Sequence, residues 1–302
     1  LLHQWLKKKN GILIALIVDH KIRAESFSES LQTKKFLKTR GIETKIDVLA
    51  TLMQLAKKIA KVGIIAGNCD GFIGNRMFHA YITQAHLLVE EGATPEQVDI
   101  AAESWGWAMG PFAVNDLAGN DVGWRIRKGK GKDYYKGKKY ASTVADRLCE
   151  LGRFGQKVGK GFYTYDPQTR RRQSDPEVAK IIDDVRREKG INPRAIDNDE
   201  ILSRLHGALV IEGTRILEEG HALRSSDIDV CYISGYGFPA HRGGPMWQAD
   251  KIGIDKFAQQ IAKHRNADVL TWPESQLMNT LADSKEKIAN FVPDTSNPSK
   301  RT

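Results

Sequence analysis

Asn75 stands in the segment Gly74-Asn75-Arg76, at the head of a stretch with helical spacing. Its side-chain amide can donate a hydrogen bond to a carbonyl, or to an oxygen gaining negative charge during a reaction. The same amide can cap or brace a helix, and the residues by themselves leave both roles open. Other segments imitate chemistry less well. Gly155 to Gly161 has the look of a phosphate loop but lacks the spacing and the closing Ser or Thr, so it reads as a turn. Gly235-x-Gly237-x-x-Ala240 imitates a dinucleotide fingerprint, yet Pro239 interrupts it and no strand precedes it. His79 and His86 fall within the helical stretch and read as surface or packing residues. The three cysteines, Cys69, Cys149 and Cys231, are scattered and lack metal spacing, so they read as reduced thiols and no metal site is expected.

The elements that must position these groups are mostly helices. Val48, Leu49, Leu52, Leu55, Ala56 and Ile59 line one side of a helix over 48–60. Gly63 to Ala66 reads as a short strand, followed by the turn Gly67-Asn68-Cys69-Asp70-Gly71. A long helix is predicted from near Phe72, with Met77, Phe78, Tyr81, Ile82, Ala85, Leu88 and Val89 at helical spacing. Thr94-Pro95-Glu96 opens the next, with proline at the favoured first position. After residue 66 the only further strand expected is the aromatic run Phe162 to Tyr165. Earlier in the chain, Ile12 to Val18 is an apolar run of buried-strand type, and Ser26-x-x-Glu29 resembles a capping box.

An apolar share of 41% and a charged share of 27% are those of an ordinary globular protein. No apolar run approaches a membrane span, and the first ten residues lack a signal-peptide pattern, so a cytoplasmic location is expected. The formal net charge of +9 is dispersed. Its densest stretches, Arg125 to Lys139 and Arg170-Arg171-Arg172, read as solvated basic loops, and nucleic acid is not expected as a partner. Attraction of an anionic cofactor is the other use such charge could have.

Residues 75–111 and 203–245 repeat one another. At an offset of 128, Asn75-Arg76-Met77 meets Ser203-Arg204-Leu205 and Glu90-Glu91-Gly92 meets Glu218-Glu219-Gly220. With small gaps, Val98-Asp99 meets Ile228-Asp229, Gly106-Trp107 meets Gly237-Phe238, and Gly110-Pro111 meets Gly244-Pro245. Two copies of one helical unit predict a pair packed as the subunits of a dimer would pack.

The segment Gly67 to Arg76, together with Met109-Gly110-Pro111-Phe112 and Asp116-Leu117-Ala118-Gly119, resembles the C-terminal region of 3-hydroxyacyl-CoA dehydrogenases. Leu148 to Gly161, Gly235 to Pro239 and Arg242-Gly243-Gly244-Pro245 resemble the multifunctional fatty-acid β-oxidation type in particular, over about residues 48–290. The resemblance implies two repeated helical C-terminal domains preceded by an incomplete α/β, Rossmann-like fragment. The implied boundaries are 48–70 for the last helix–strand unit of an NAD-binding domain, 71–166 for the first copy, 167–198 for a linker, 199–292 for the second copy and 293–302 for a tail. It implies an NAD-dependent oxidoreductase acting on acyl-CoA substrates, with Asn75 as the substrate contact. Self-association or a β-oxidation partner is the accompanying expectation.

Parts of that family's pattern are missing. The G-x-G-x-x-G fingerprint is nowhere in the chain, none of the eight histidines has the family's His-aromatic-aromatic-x-Pro context, and the catalytic Glu falls near Leu37. No cofactor-binding residue is assigned, and the chain is expected to be truncated and inactive alone. Residues 1–47 suggest the reason. Val18-Asp19-His20-Lys21-Ile22-Arg23-Ala24-Glu25-Ser26 resembles a segment of tRNA(Ile)-lysidine synthetases, an ATP-pyrophosphatase family, without that family's phosphate loop. His20 and Arg23 then read as solvated residues after a strand, and the chain as a chimaera joined near Gly41 to Val48. A non-catalytic helical interaction module is the alternative, and lysidine synthesis from residues 1–46 a weaker one.

Overall fold

In a computed structural model, the described residues are 16–18, 46–137 and 139–293, with side chains from 51 onward except at 132 and 134. Residues 19–45, with His20 and Arg23, lie outside them. Strand β1 (Leu16–Val18) pairs antiparallel with β2 (Gly63–Ile65), Ile17 opposite Ile64. Helix α1 (Ile46–Lys58) precedes β2, and α2 (Gly74–Glu91) follows it. α2 starts two residues later than the apolar spacing predicts, because Gly71 and Phe72 both have positive φ, +80° and +51°. Such backbone cannot belong to a right-handed helix.

Helices α3 (Pro95–Trp105), α4 (Pro111–Ala118), α5 (Asn120–Lys130) and α6 (Thr143–Glu150) come next. A ribbon of β3 (Thr164–Tyr165) and β4 (Arg172–Gln173) leads to α7 (Pro176–Glu188). The second copy contributes α8 (Asn198–Glu218), α9 (Ser225–Gly235), α10 (Pro245–Ile252), α11 (Ile254–Ala267) and α12 (Gln276–Ser284). Sequence caps set several starts: Thr94 accepts from the Gln97 amide at 3.1 Å, Asp175 from Glu177 at 2.9 Å and Ser275 from Met278 at 3.2 Å. The basic run is not a loop up to Lys130. Arg125, Arg127, Lys128 and Lys130 belong to α5, three of them in its last turn, where cations suit the helix dipole.

The chain divides into two compact units, and neither is one repeat copy. Among the described residues, one holds 16–18, 46–76, 212–255 and 275–293; the other holds 77–137, 139–211 and 256–274. In the second of these, Met77, Tyr81, Ala85 and Leu88 of α2 and Leu205, Leu209 and Val210 of α8 are buried in the core. In the first, Ile216, Leu217, Ile228, Tyr232 and Met246 form the core.

Two aspartates in each copy tie loops down in the same way. Asp99 accepts from the amides of Phe112 and Ala113, both at 2.9 Å, at the start of α4, and also from the Tyr163 hydroxyl at 2.8 Å. Asp229 accepts from Met246 at 2.7 Å and Trp247 at 3.2 Å at the start of α10. Gly110 and Gly244 let these carboxylates in, since a Cβ on either would lie 2.4 Å from the aspartate side chain. Asp116 likewise accepts from Phe162 and Tyr163 at 2.9 and 3.0 Å, and Asp250 from Ile288 and Ala289 at 2.7 and 3.0 Å. Burial pushes Asp99 up to about 6 and Asp229 up to about 7, against the amide bonds that favour their ionised forms.

Candidate functional site at the head of the long helix

The turn before α2 is locked from within and from the second copy. The Phe72 amide donates to Cys69 O at 3.1 Å, the Arg76 amide to Gly71 O at 3.2 Å, and the Gly67 amide to His221 O at 2.6 Å. Gly71 has no alternative, because a Cβ there would lie 2.7 Å from the Arg76 nitrogen and its φ is +80°. The helix therefore begins with Gly74, Asn75 and Arg76 in fixed positions.

Each of those three residues meets a residue of the second copy. Gly74 lies under the Tyr236 ring, where a Cβ would approach to 2.3 Å, and its carbonyl accepts from the Tyr232 hydroxyl at 3.1 Å. The two tyrosines stack, with centroids 4.9 Å apart. Asn75 is exposed, and its Oδ1 accepts from the Tyr236 hydroxyl at 2.7 Å. That leaves the Nδ2 group as the amide's donor side. Burial raises the Tyr236 phenol well above its ordinary value, so it stays protonated and able to donate. Arg76 grips two carboxylates: Nε reaches Glu212 at 2.5 Å, and both Nη atoms reach Glu219 at 2.5 and 2.8 Å. Burial works against the guanidinium's charge, but the bonds to Glu219 and Glu212 outweigh it and hold Arg76 above its ordinary value.

The repeat turns this grip into an exchange. Arg204, at the place of Arg76 in the second copy, reaches back to the first copy: Gln84 at 3.0 Å and Glu91 at 2.7 and 3.0 Å. Gln84 and Glu91 are the counterparts of Glu212 and Glu219 at the same offset of 128. Asn75 has no such mirror. Its counterpart Ser203 hydrogen-bonds His264 at 3.0 Å, and Trp105 stands in the place of Tyr236.

The remaining candidate residues are elsewhere. His86 is buried between Phe112 and Phe162, at 5.5 and 5.7 Å, and burial lowers it to about 3; His79 and His241 are exposed. The Gly155–Gly161 turn wraps Asp116, and a Cβ on Gly161 would come within 2.0 Å of that carboxylate. Gly235 ends a helix rather than opening one, the wrong polarity for an anion. Among the described residues no cluster of three or more His, Cys, Asp or Glu is placed to hold a metal ion. The three cysteines carry thiols. Sequence reasoning missed Tyr236, Tyr232, Glu212 and Glu219. The repeat held a signal for Glu219, because Arg76 and Arg204 align, as do Glu91 and Glu219.

Residues 71–165 match the family described as 3-hydroxyacyl-CoA dehydrogenase, C-terminal domain. The peroxisomal bifunctional enzyme of Pongo abelii is 44% identical over 247 residues, 78% of this chain and 34% of that protein. The glyoxysomal fatty acid beta-oxidation multifunctional protein MFP-a of Brassica napus is 36% identical over 71% of this chain and 30% of its own length. This chain thus spans about a third of these curated relatives. Among solved structures, the dehydrogenase part of multifunctional enzyme 1 from C. elegans is 31% identical with a TM-score of 0.61, over 78% of this chain and 54% of that one. No helix among the described residues is long and apolar enough to cross a membrane. With the Gly-Asn-Arg segment, the paired helices and these relatives together, residues 71–165 are a C-terminal domain of the 3-hydroxyacyl-CoA dehydrogenase family.

Proposed function

We propose that this chain is the helical, substrate-facing part of an NAD-dependent 3-hydroxyacyl-CoA dehydrogenase of the multifunctional β-oxidation type. Asn75 donates from Nδ2 to the thioester or developing ketone oxygen of the acyl-CoA. The observation that carries this reading is the held, outward-facing amide at the head of α2, with its oxygen already engaged by Tyr236. A donor fixed before the substrate arrives does not have to reorganise during the reaction. Residues 48–70 are the last helix–strand unit of the NAD-binding domain in this reading.

The residues described here do not fit NAD itself. The glycine-rich turn at 155–161 is filled by Asp116, and the glycines at 235 and 237 close a helix. Oxidation of the 3-hydroxyl needs the hydride acceptor and the His–Glu pair, which this chain does not supply. The thiols suit a reducing compartment, and the relatives' names extend the cytoplasmic expectation to a peroxisomal or glyoxysomal matrix.

The test is an assay of the purified chain with NADH and acetoacetyl-CoA, paired with calorimetric titration of acetoacetyl-CoA. No turnover is expected, together with binding that Asn75→Ala weakens. Turnover at ordinary enzyme rates would show the missing groups to be dispensable, and undetectable binding would remove the substrate role. A second reading, an interaction module, is favoured by Leu117, Val122 and Ile126, apolar residues left exposed on and beside α5. Light scattering that finds a monomer would count against self-association.

A further inference from the structure

We infer that Tyr236, a residue of the second copy, is a positioning residue for the first copy's Asn75, setting which edge of its amide faces the acyl-CoA. The inference rests on the reading of Asn75 as a substrate contact.

An asparagine amide has two edges of opposite character, an acceptor oxygen and a donor nitrogen. On an exposed helix turn nothing intrinsic distinguishes them, and rotation about the last side-chain bond would exchange them. A carbonyl oxygen of the substrate accepts a bond only from the nitrogen edge. The Tyr236 hydroxyl, 2.7 Å from Asn75 Oδ1, holds the oxygen edge and so assigns the nitrogen edge to the ligand.

The phenol is itself fixed by two independent contacts. Its ring stacks on Tyr232 at 4.9 Å and 20°. Its edge rests on Gly74, where even a methyl group would come within 2.3 Å of the ring. Tyr232 in turn donates to the Gly74 carbonyl at 3.1 Å, closing a small circuit around the residue before Asn75. At the equivalent place in the other half of the repeat, Ser203 bonds His264 and an indole replaces the phenol, so this amide-orienting pair accompanies Asn75 alone. The second copy thereby takes part in the site as well as in the packing.

Tyr236→Phe removes the hydroxyl and keeps the ring, so its stacking on Tyr232 and contact with Gly74 survive. Acetoacetyl-CoA is titrated by calorimetry into the full chain and into Tyr236→Phe, Asn75→Ala and the double variant. Loss of one neutral hydrogen bond predicts about threefold to tenfold weaker binding for Tyr236→Phe, and a double variant no weaker than Asn75→Ala alone. Unchanged affinity in Tyr236→Phe, or losses that multiply in the double variant, would overturn the inference while leaving Asn75 as a contact. If the wild-type chain binds no acetoacetyl-CoA, the substrate reading fails and takes this inference with it. The side-chain amide resonances of Asn75, recorded without ligand, give a second readout. Tyr236→Phe is expected to shift them, and unshifted signals would overturn the orienting role whatever the titration shows.

Discussion

Arg76 does for the backbone what Tyr236 does for the side chain beside it. Its side chain is 14% exposed and that of Glu212 9% exposed, so the charges are mostly shielded from water and depend on one another. Arg76→Ala removes the shortest ion-pair contacts of Glu212 and Glu219, leaving Arg215 beside both and His221 beside Glu219, and is expected to cost about 2–4 kcal/mol in urea unfolding. Arg76→Lys, with a single ammonium in place of a fork, is expected to recover less than half of that. Burial of His86 predicts a loss of stability in acid. Its folded value near 3 lies below its ordinary 6.5, so the unfolded chain binds more protons between those pH values and stability falls as pH drops through that window. In His86→Leu, melting temperature should fall less steeply from pH 6.5 to about 4 than in the parent chain; an unchanged slope would exclude His86 as the cause. Asp229 acts in the opposite sense. With a folded value near 7 against an ordinary 3.8, it adds stability as pH falls from 7 towards 4, and Asp229→Asn should abolish that gain.

At the level of elements, the paired aspartate locks make a comparison possible between two glycines that each press on an aspartate, Gly110 on Asp99 and Gly244 on Asp229. Gly110 has φ −74°, open to any residue, whereas Gly244 has φ +104°. Gly110→Ala then meets only the clash with Asp99, at about 1–3 kcal/mol, while Gly244→Ala adds a backbone penalty of about 1–3 kcal/mol. Equal losses in thermal or urea unfolding would contradict this. Most helices here were legible in the sequence because their ends carry local signals, as Thr94-Pro95 and Asp175-Pro176 do. The strand of Arg172–Gln173 was not, since two residues with no apolar alternation leave no pattern. The helix through Lys130 was hidden by Gly123, Gly129 and Gly131, which punctuate it like a loop although the chain winds through the first two. The Tyr236–Asn75 bond was beyond reach for a different reason: its partners are 161 residues apart, and no local rule spans that distance.

For the molecule as a whole, the decisive fact is that each compact unit is assembled from both copies. Chains 1–190 and 191–302, expressed separately, should each show weak amide dispersion by nuclear magnetic resonance, and mixing them should restore the pattern of the intact protein. Two well-folded halves would sink that expectation. The exchanged arginines also have a consequence for how the protein is made. Arg76 waits for Glu212 and Glu219, 136 and 143 residues further on, and Glu91 waits for Arg194 and Arg204, 103 and 113 residues later. A ribosome adding about 5–20 residues each second leaves the first copy without these counter-charges for roughly 5 to 30 seconds. During that interval a half-made domain has to be kept from aggregating, so completion of the first copy's fold waits for synthesis of the second.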